Sequence, residues 1–235
     1  PIEEGPEVRH AVPVGDGEYS WSPQQSGVAP DTDERYIIQL VWEEDAAVND
    51  GSREGFSVPE PGSLYFVNDG DLAGDEYTTA AGDNRHTGKT PTDPKANLLP
   101  LLRSYDLAPG DTTRIDTGYY VHVRNVVISG EAAHGNDEGA AFTGAAAHTT
   151  TIDRANPHEG ATNIEVHGGD YVKLRHLSLT GAHMGLWVHD GSTHFTGTDL
   201  IVSQNADDGI RIESDAEASH VDRLTAFGNG RTGIE

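Results

Sequence analysis

The sequence predicts an all-β chain: a β-solenoid with rungs of about 22–24 residues and one short helix at its start, preceded by a small antiparallel β segment. Three observations predict it. First, from residue 163 the chain repeats itself, with Gly185, Gly209 and Gly233 spaced 24 apart and Leu177, Leu200 and Leu224 spaced 23 and 24 apart. Second, each repeat carries two alternating apolar runs: Ile164/Val166, Leu186/Val188 and Ile210/Ile212 in the first, Leu177/Leu179, Leu200/Val202 and Leu224/Ala226 in the second. One such unit cannot bury its apolar face alone, whereas units stacked about 4.8 Å apart bury a continuous core. Third, the corners are rich in Gly and Asn, and Asn205 and Asn229 recur at one corner, placed to stack as an Asn ladder. Leucine-rich repeats share this period but require a fixed Leu-x-x-Leu-x-Leu frame followed by Asn, which these units do not keep.

The elements ahead of the repeat follow from local chemistry. Residues 1–60 are rich in Pro, Gly and acid. Within them "GEYSWSP" (17–23) and "RYIIQLVWEED" (35–45), the latter followed by "GFSVPEPG", are short aromatic and β-branched runs between turn residues, and read as an antiparallel β unit. This stretch resembles the end of a bacterial immunoglobulin-like sandwich; an extended leader is the other reading. The domain boundaries expected are thus 1–60 and 61–235, with the solenoid incomplete at its C-terminal end, because the chain starts without Met and stops in mid-pattern. Residues 64–93 give one short strand and a long polar loop. In "NLLPLLRSYDL" (97–107), Asn97 can cap a helix whose first turn tolerates Pro100, with Leu98, Leu101, Leu102 and Tyr105 on one face. "TRIDTGYYVHV" and "NVVISG" follow as strands.

Composition narrows the function. The 39 Asp and Glu against 15 Lys and Arg leave a net charge of −24. That speaks against nucleic acid and anionic membranes as partners, since phosphate binding needs clustered Lys and Arg. An acidic surface suits solubility in salt or recruitment of cations. There is no Cys, which excludes disulfides, thiolate metal sites and a Cys nucleophile. No apolar run approaches the roughly 20 residues of a membrane span.

The opening "YFVNDGD…GKTPTDPKANLLPLLRSYDLAPGDTTRIDTGYY", together with the rungs, resembles the right-handed parallel β-helix class, the pectin-lyase-like superfamily, over about residues 64–235. Many secreted bacterial members open with a short strand, a Gly/Asp loop, a Pro-bounded helix, "PGDT" and a "GTY"-like end, here "TGYY" (117–120). The resemblance implies that the helix caps the N-terminal end of the coil, where an open solenoid exposes unpaired strand edges. It implies two classes of function: polysaccharide lyases, epimerases and hydrolases, or long surface and adhesin-like proteins that use the β-helix as a stalk or binding surface.

Several residue groups are candidates for chemistry. Asp207 and Asp208 precede Gly209 where neighbouring repeats have His183–Met184 and Arg231–Thr232. "NADDGI" is superficially similar to the Asp pair of polygalacturonases, but the Gly-His-Gly and Arg-x-Lys of that family are missing. An adjacent pair in extended chain also points its side chains apart, so the pair reads as a corner. His176, Asp199 and Arg223 each precede the aligned Leu of the second run and stack outward on successive rungs. They suit either the base and charge neutraliser of a lyase or, the reading adopted, a charge ladder that steadies rung stacking. Trp187 and Arg211 share an outward column with Glu165; Trp187 is placed to stack on a glycan ring or to pack under Arg211 as a cation–π pair. Asp69, Asp71, Asp75 and Glu76 in "NDGDLAGDE" (68–76) offer hard oxygen ligands suited to Ca2+, without EF-hand spacing. "NPHEG" (156–160) resembles the Asp-Pro-His-Glu motif of secreted mannuronan epimerases, with Asn156 where the motif has its acting carboxylate, and reads as a corner. The twelve His are scattered without a His-x-x-x-His pair, so zinc is not indicated.

The expectation is a non-catalytic rigid segment of a large secreted or cell-surface protein, structural or adhesive, with glycan binding on its face. The alternative is a carbohydrate-active enzyme, a polysaccharide lyase or C5-epimerase, on an anionic polysaccharide. The expected partners are a polysaccharide, or another chain at the open C-terminal edge, where Leu224, Ala226, Phe227 and Ile234 back an unpaired strand and favour a homo-oligomer or filament.

Overall fold

The computed structural model describes residues 31–36, 39–42, 45–51, 56–58, 63–130, 136–146 and 148–235. The chain divides into two compact units, Pro1–Pro61 and Gly62–Glu235. In the first, β1 (Asp31–Tyr36), β2 (Gln39–Trp42), β3 (Asp45–Gly51) and β4 (Phe56–Val58) form two antiparallel pairs, β1 with β4 and β2 with β3. The run expected as one strand over 35–45 is divided among three strands. Its apolar alternation stops at Trp42, where three acidic residues follow. The segment 17–23 lies outside the described residues.

The second unit runs β5 (Leu64–Val67), α1 (Leu98–Ser104), β6 (Thr112–Ile115), β7 (Gly118–Val121), β8 (Val126–Ser129) and β9 (Ala141–Gly144). It continues through β10 (Thr150–Asp153), β11 (Thr162–His167), β12 (Lys173–Arg175), β13 (Leu177–Thr180), β14 (Met184–His189), β15 (Thr196–Ser203), β16 (Ile210–Ile212) and β17 (His220–Phe227). This unit is β-rich, with parallel sheets and one short helix. A first ladder passes through β5, β6, β9, β12 and the start of β15; a second passes through β7, β10, β13 and the end of β15. β15 therefore joins both into one nine-stranded sheet, and β17 pairs along its length. The third ladder, β8–β11–β14–β16, is a separate four-stranded sheet.

The registers follow the sequence repeat. Leu186 pairs with Ile164 on one side and Ile210 on the other, and Leu200 pairs with Leu224. Alternation then points every second side chain inward. The columns Val126–Ile164–Leu186–Ile210 and Tyr120–Ile152–Leu179–Val202 are buried throughout. Leu177 and Leu200 are buried as expected, but Leu224 is half-buried, and Ile234, which bridges to Ile210, is 48% exposed. β17 pairs with β15 alone, and Phe227 is 54% exposed.

Each repeat holds three runs where two were expected. The missed one carries Leu174 and Gly197 inward, in the column of Tyr65, Thr113 and Phe142. It escapes notice because its inward residues include Gly and Thr, and its outward ones, Lys173, Arg175, Thr196 and Thr198, are polar. The first and second ladders are separated by a bend at which His148, His176, Asp199 and Arg223 all have φ between 53° and 57°.

α1 packs against β8, the outermost strand of the four-stranded sheet, and buries Leu98 and Leu101. Asn97 occupies the N-cap position but makes no side-chain cap bond, against expectation. The third helical residue is Pro100, whose nitrogen has no proton to donate to a cap. The outer side of β5 is covered by the loop that follows it. Phe66 N–H donates to Gly88 O at 2.7 Å, Lys95 N–H to Phe66 O at 3.0 Å and Asn68 N–H to Lys95 O at 2.9 Å. The same loop is anchored by Asp116, a buried carboxylate that accepts the N–H groups of Glu76, Tyr77, Thr78 and Thr117 and the Thr78 hydroxyl at 2.7–2.9 Å. Among the described residues, no helix is long and apolar enough to cross a membrane.

Leu200 is fully buried in β15. Leu200→Ala is expected to lower the free energy of unfolding by about 2–5 kcal/mol, read by urea denaturation. A change near zero would place the side chain outside the core.

Candidate functional site: the outer face of the four-stranded sheet and its corners

The structure brings His176, Asp199 and Arg223 together. Their left-handed backbone sends each side chain out at the bend between ladders. His176 Nε2 lies 3.3 Å from Asp199 Oδ2, and Arg223 grips the same carboxylate as a fork, Nε to Oδ1 at 2.6 Å and Nη2 to Oδ2 at 2.7 Å. His148 adds a further layer, its ring edge-on to His176 at 5.7 Å. The hydrogen bonds from Arg223 hold the Asp199 carboxyl below the usual carboxylate range. A carboxylate tied at both oxygens to a guanidinium is ionised but a weak acceptor for a substrate proton.

Asp207 and Asp208 lie at the corner between β15 and β16. Their side chains do not diverge, as an extended pair would, because the chain turns here and both carboxylates face the same two arginines. Arg211 Nη2 is 3.2 Å from Asp207 Oδ2 and 2.6 Å from Asp208 Oδ2. Arg231 donates through Nε to Asp207 Oδ1 at 2.9 Å and through Nη2 to Asp208 and Glu235. Asp208 is buried and also accepts the Thr232 hydroxyl at 2.5 Å. Burial opposes its ionisation, but the hydrogen bonds from Thr232, Arg211 and Arg231 prevail and hold its carboxyl down at about 2. The neighbouring Asn205 and Asn229 stack as a ladder, Asn205 Nδ2 donating to Asn229 Oδ1 at 3.0 Å.

Trp187 is half-buried on the outer face of β14. Its indole N–H donates to Glu213 Oε1 at 3.0 Å, and its ring lies 3.7 Å from the His189 ring at 15°. Arg211 is its paired neighbour in register but turns its guanidinium to the aspartates. Among the described residues the cation–π contact falls on Arg114 over Tyr77 instead, at 5.2 Å.

Among the described residues, the four acidic residues of 68–76 do not gather into a set that could share one ion. Asp69 accepts Asp71 N–H at 2.8 Å and Tyr119 N–H at 3.0 Å, and Asp71 accepts Ala73 N–H at 3.1 Å. Asp75 accepts Asn68 Nδ2 at 2.7 Å, and Glu76 reaches Ala146 N–H at 3.1 Å. Short acidic side chains in a turn-rich loop satisfy nearby backbone in this way. An open groove of about 340 Å³ lies beside Asp69, Asp71 and the exposed Tyr119. Asn156 likewise closes a turn, accepting His158 N–H at 3.1 Å.

What the sequence reading missed is the set His167, His189 and Asp190, whose ligand atoms lie within 4.8 Å of one another. The two histidines are 22 residues apart, a spacing with no meaning on a helix. In paired parallel strands that spacing makes them direct neighbours. The signal was present in the aligned repeats, where "EVHGG" and "WVHDG" place both at one position.

No family model matches the chain, and neither a curated protein nor a solved structure matches it.

The corner generates a pH prediction. A carboxyl whose folded value lies below its ordinary value of 3.8 stabilises the fold above that value, and the contribution is lost as pH falls toward about 2. Asp208→Asn is therefore expected to lower stability at neutral pH by about 1–3 kcal/mol and to flatten the dependence between pH 4 and 2. Thermal denaturation across that range reads it; an acid-range slope identical to that of the parent protein would show that Asp208 is not the titrating group.

Proposed function

We propose that residues 62–235 form a right-handed parallel β-helix of the pectin-lyase-like kind, serving as a rigid, non-catalytic segment of a larger secreted or cell-surface protein with a structural or adhesive role. The observation that carries the reading is how the carboxylates at the bends and corners are used. Asp199, Asp207 and Asp208 are each held by arginines from a neighbouring layer, and Asp116 is held by backbone N–H groups. These groups hold layers together, and the carboxyls of Asp199 and Asp208 lie below the ordinary carboxylate range, away from the neutral value that acid–base catalysis needs.

The coil is supported by three parallel ladders visited in turn once per repeat, and parallel strands joined by crossovers are right-handed in nearly all cases. The helix α1 and the loop over β5 fit the role of an N-terminal cap. β17 is paired on one side only, with β15, and its free edge can accept another strand. An adhesive role is favoured by Tyr119, 57% exposed beside the open groove, since exposed aromatic rings stack on sugars.

The test is direct. The purified chain is incubated with polyuronates and with neutral glucans, with and without Ca2+, and assayed for new reducing ends, unsaturated uronate and C5 inversion. No turnover is expected. Turnover that disappears in the Asp207→Asn, Asp208→Asn double variant, with its circular dichroism unchanged, would replace this reading with an enzymatic one.

A further inference from the structure

We propose that His167, His189 and Asp190 form a binding site for a divalent ion of the zinc class, bridging two successive strand layers. His167 ends β11 and His189 ends β14, and the two are direct partners in the parallel register. Their rings stack at 5.0 Å and 29°. Asp190 follows with left-handed backbone, φ 52°, which turns its carboxylate back toward the imidazoles. One oxygen, Oδ2, lies 2.6 Å from His189 Nδ1 and 3.2 Å from His167 Nε2.

The site is built rather than incidental. His189 is only 7% exposed. The Trp187 ring lies flat against it at 3.7 Å, and Trp187 is fixed in turn by its hydrogen bond to Glu213. The Nδ1 of His189 faces Asp190, while its Nε2 is buried without a hydrogen-bond partner. The stacked Trp187 and the burial of the ring fix its orientation before an ion arrives.

The donor set selects the ion. Two imidazole nitrogens and one carboxylate oxygen suit Zn2+, Ni2+ or Cu2+, whereas Ca2+ and Mg2+ prefer all-oxygen sets. Asp190 is largely exposed, which leaves the fourth position to water or an external donor. An ion here replaces the imidazole protons shared with Asp190 and ties β11 to β14. The net charge of −24 raises the local concentration of cations.

The experiment uses the 235-residue chain freed of metal by chelation. Calorimetric titration with Zn2+ is expected to show one strong site, undisturbed by excess Ca2+ or Mg2+. Co2+ should give visible absorption of a nitrogen–oxygen site. At an ion concentration on the order of 100 times Kd, Tm should rise by about 5–10 °C. His167→Gln and Asp190→Asn should each weaken Zn2+ binding at least tenfold and abolish the Co2+ spectrum. Asp190→Asn, at an exposed side chain, keeps the fold and guards against a loss caused by unfolding. His158→Gln, outside the site, should leave the affinity unchanged. Absence of binding in the parent chain, or equal affinity in the parent and the two site variants, overturns the proposal.

Discussion

Four residues that are not glycine, His148, His176, Asp199 and Arg223, hold left-handed backbone at the same corner of successive layers, and the larger unit depends on that bend. A side chain in this region is disfavoured by contact of Cβ with the carbonyl, so the conformation persists only where the surroundings enforce it. Here the enforcement comes from parallel pairing on both sides of the bend. β15 runs straight through it, paired with β12 before Asp199 and with β13 after it. A glycine would relieve the strain but would leave the corner without a side chain. With His, Asp and Arg there, the bend also carries side-chain contacts from layer to layer, His176 to Asp199 and Asp199 to Arg223.

The acidity of the chain takes on a structural meaning in this light. Arginines are few, and those near the C-terminal layers each serve two or three carboxylates: Arg231 meets Asp207, Asp208 and Glu235, and Arg211 meets the same three. Toward the N-terminal side Asp116 and Asp69 accept backbone N–H groups instead, while Asp83 is held by Arg85. One residue type thus closes the loops at one end and ties the layers at the other.

Much of this was legible in the sequence. The 24-residue spacing of Gly185 and Gly209 and the alternation in Leu186/Val188 fix the registers of the third ladder, because a one-residue slip would expose every apolar residue. The column of His176, Asp199 and Arg223 was readable for the same reason. The first ladder was not, since Gly197 and Thr113 carry no apolar signal. The convergence of Asp207 and Asp208 was hidden because alternation rules hold for extended chain and fail at a turn. His167, His189 and Asp190 were missed because a ligand set built across layers has no short spacing to search for; it becomes visible only when the repeats are aligned and read down the columns.

The anchoring of the early loop by Asp116 bears on how the chain assembles in time. Pairing partners near the C-terminal side are separated by 22–24 residues, as in Ile164↔Leu186 and Leu186↔Ile210, whereas Leu64 pairs with Thr112 and Val126 with Ile164. Closing a longer loop costs more entropy, about 0.6 kcal/mol for each doubling of length, and distant pairings form slowly. Loop closure therefore favours pairing among the late repeats over pairing of β5 with β6. Asp116 meets Glu76 and Thr78 across 40 and 38 residues, so its seal on β5 comes near the end. A ribosome delivers the chain in the opposite order. Within this unit β5 and α1 are made before the repeats that close the shorter loops, so their apolar side chains wait longest for their partners.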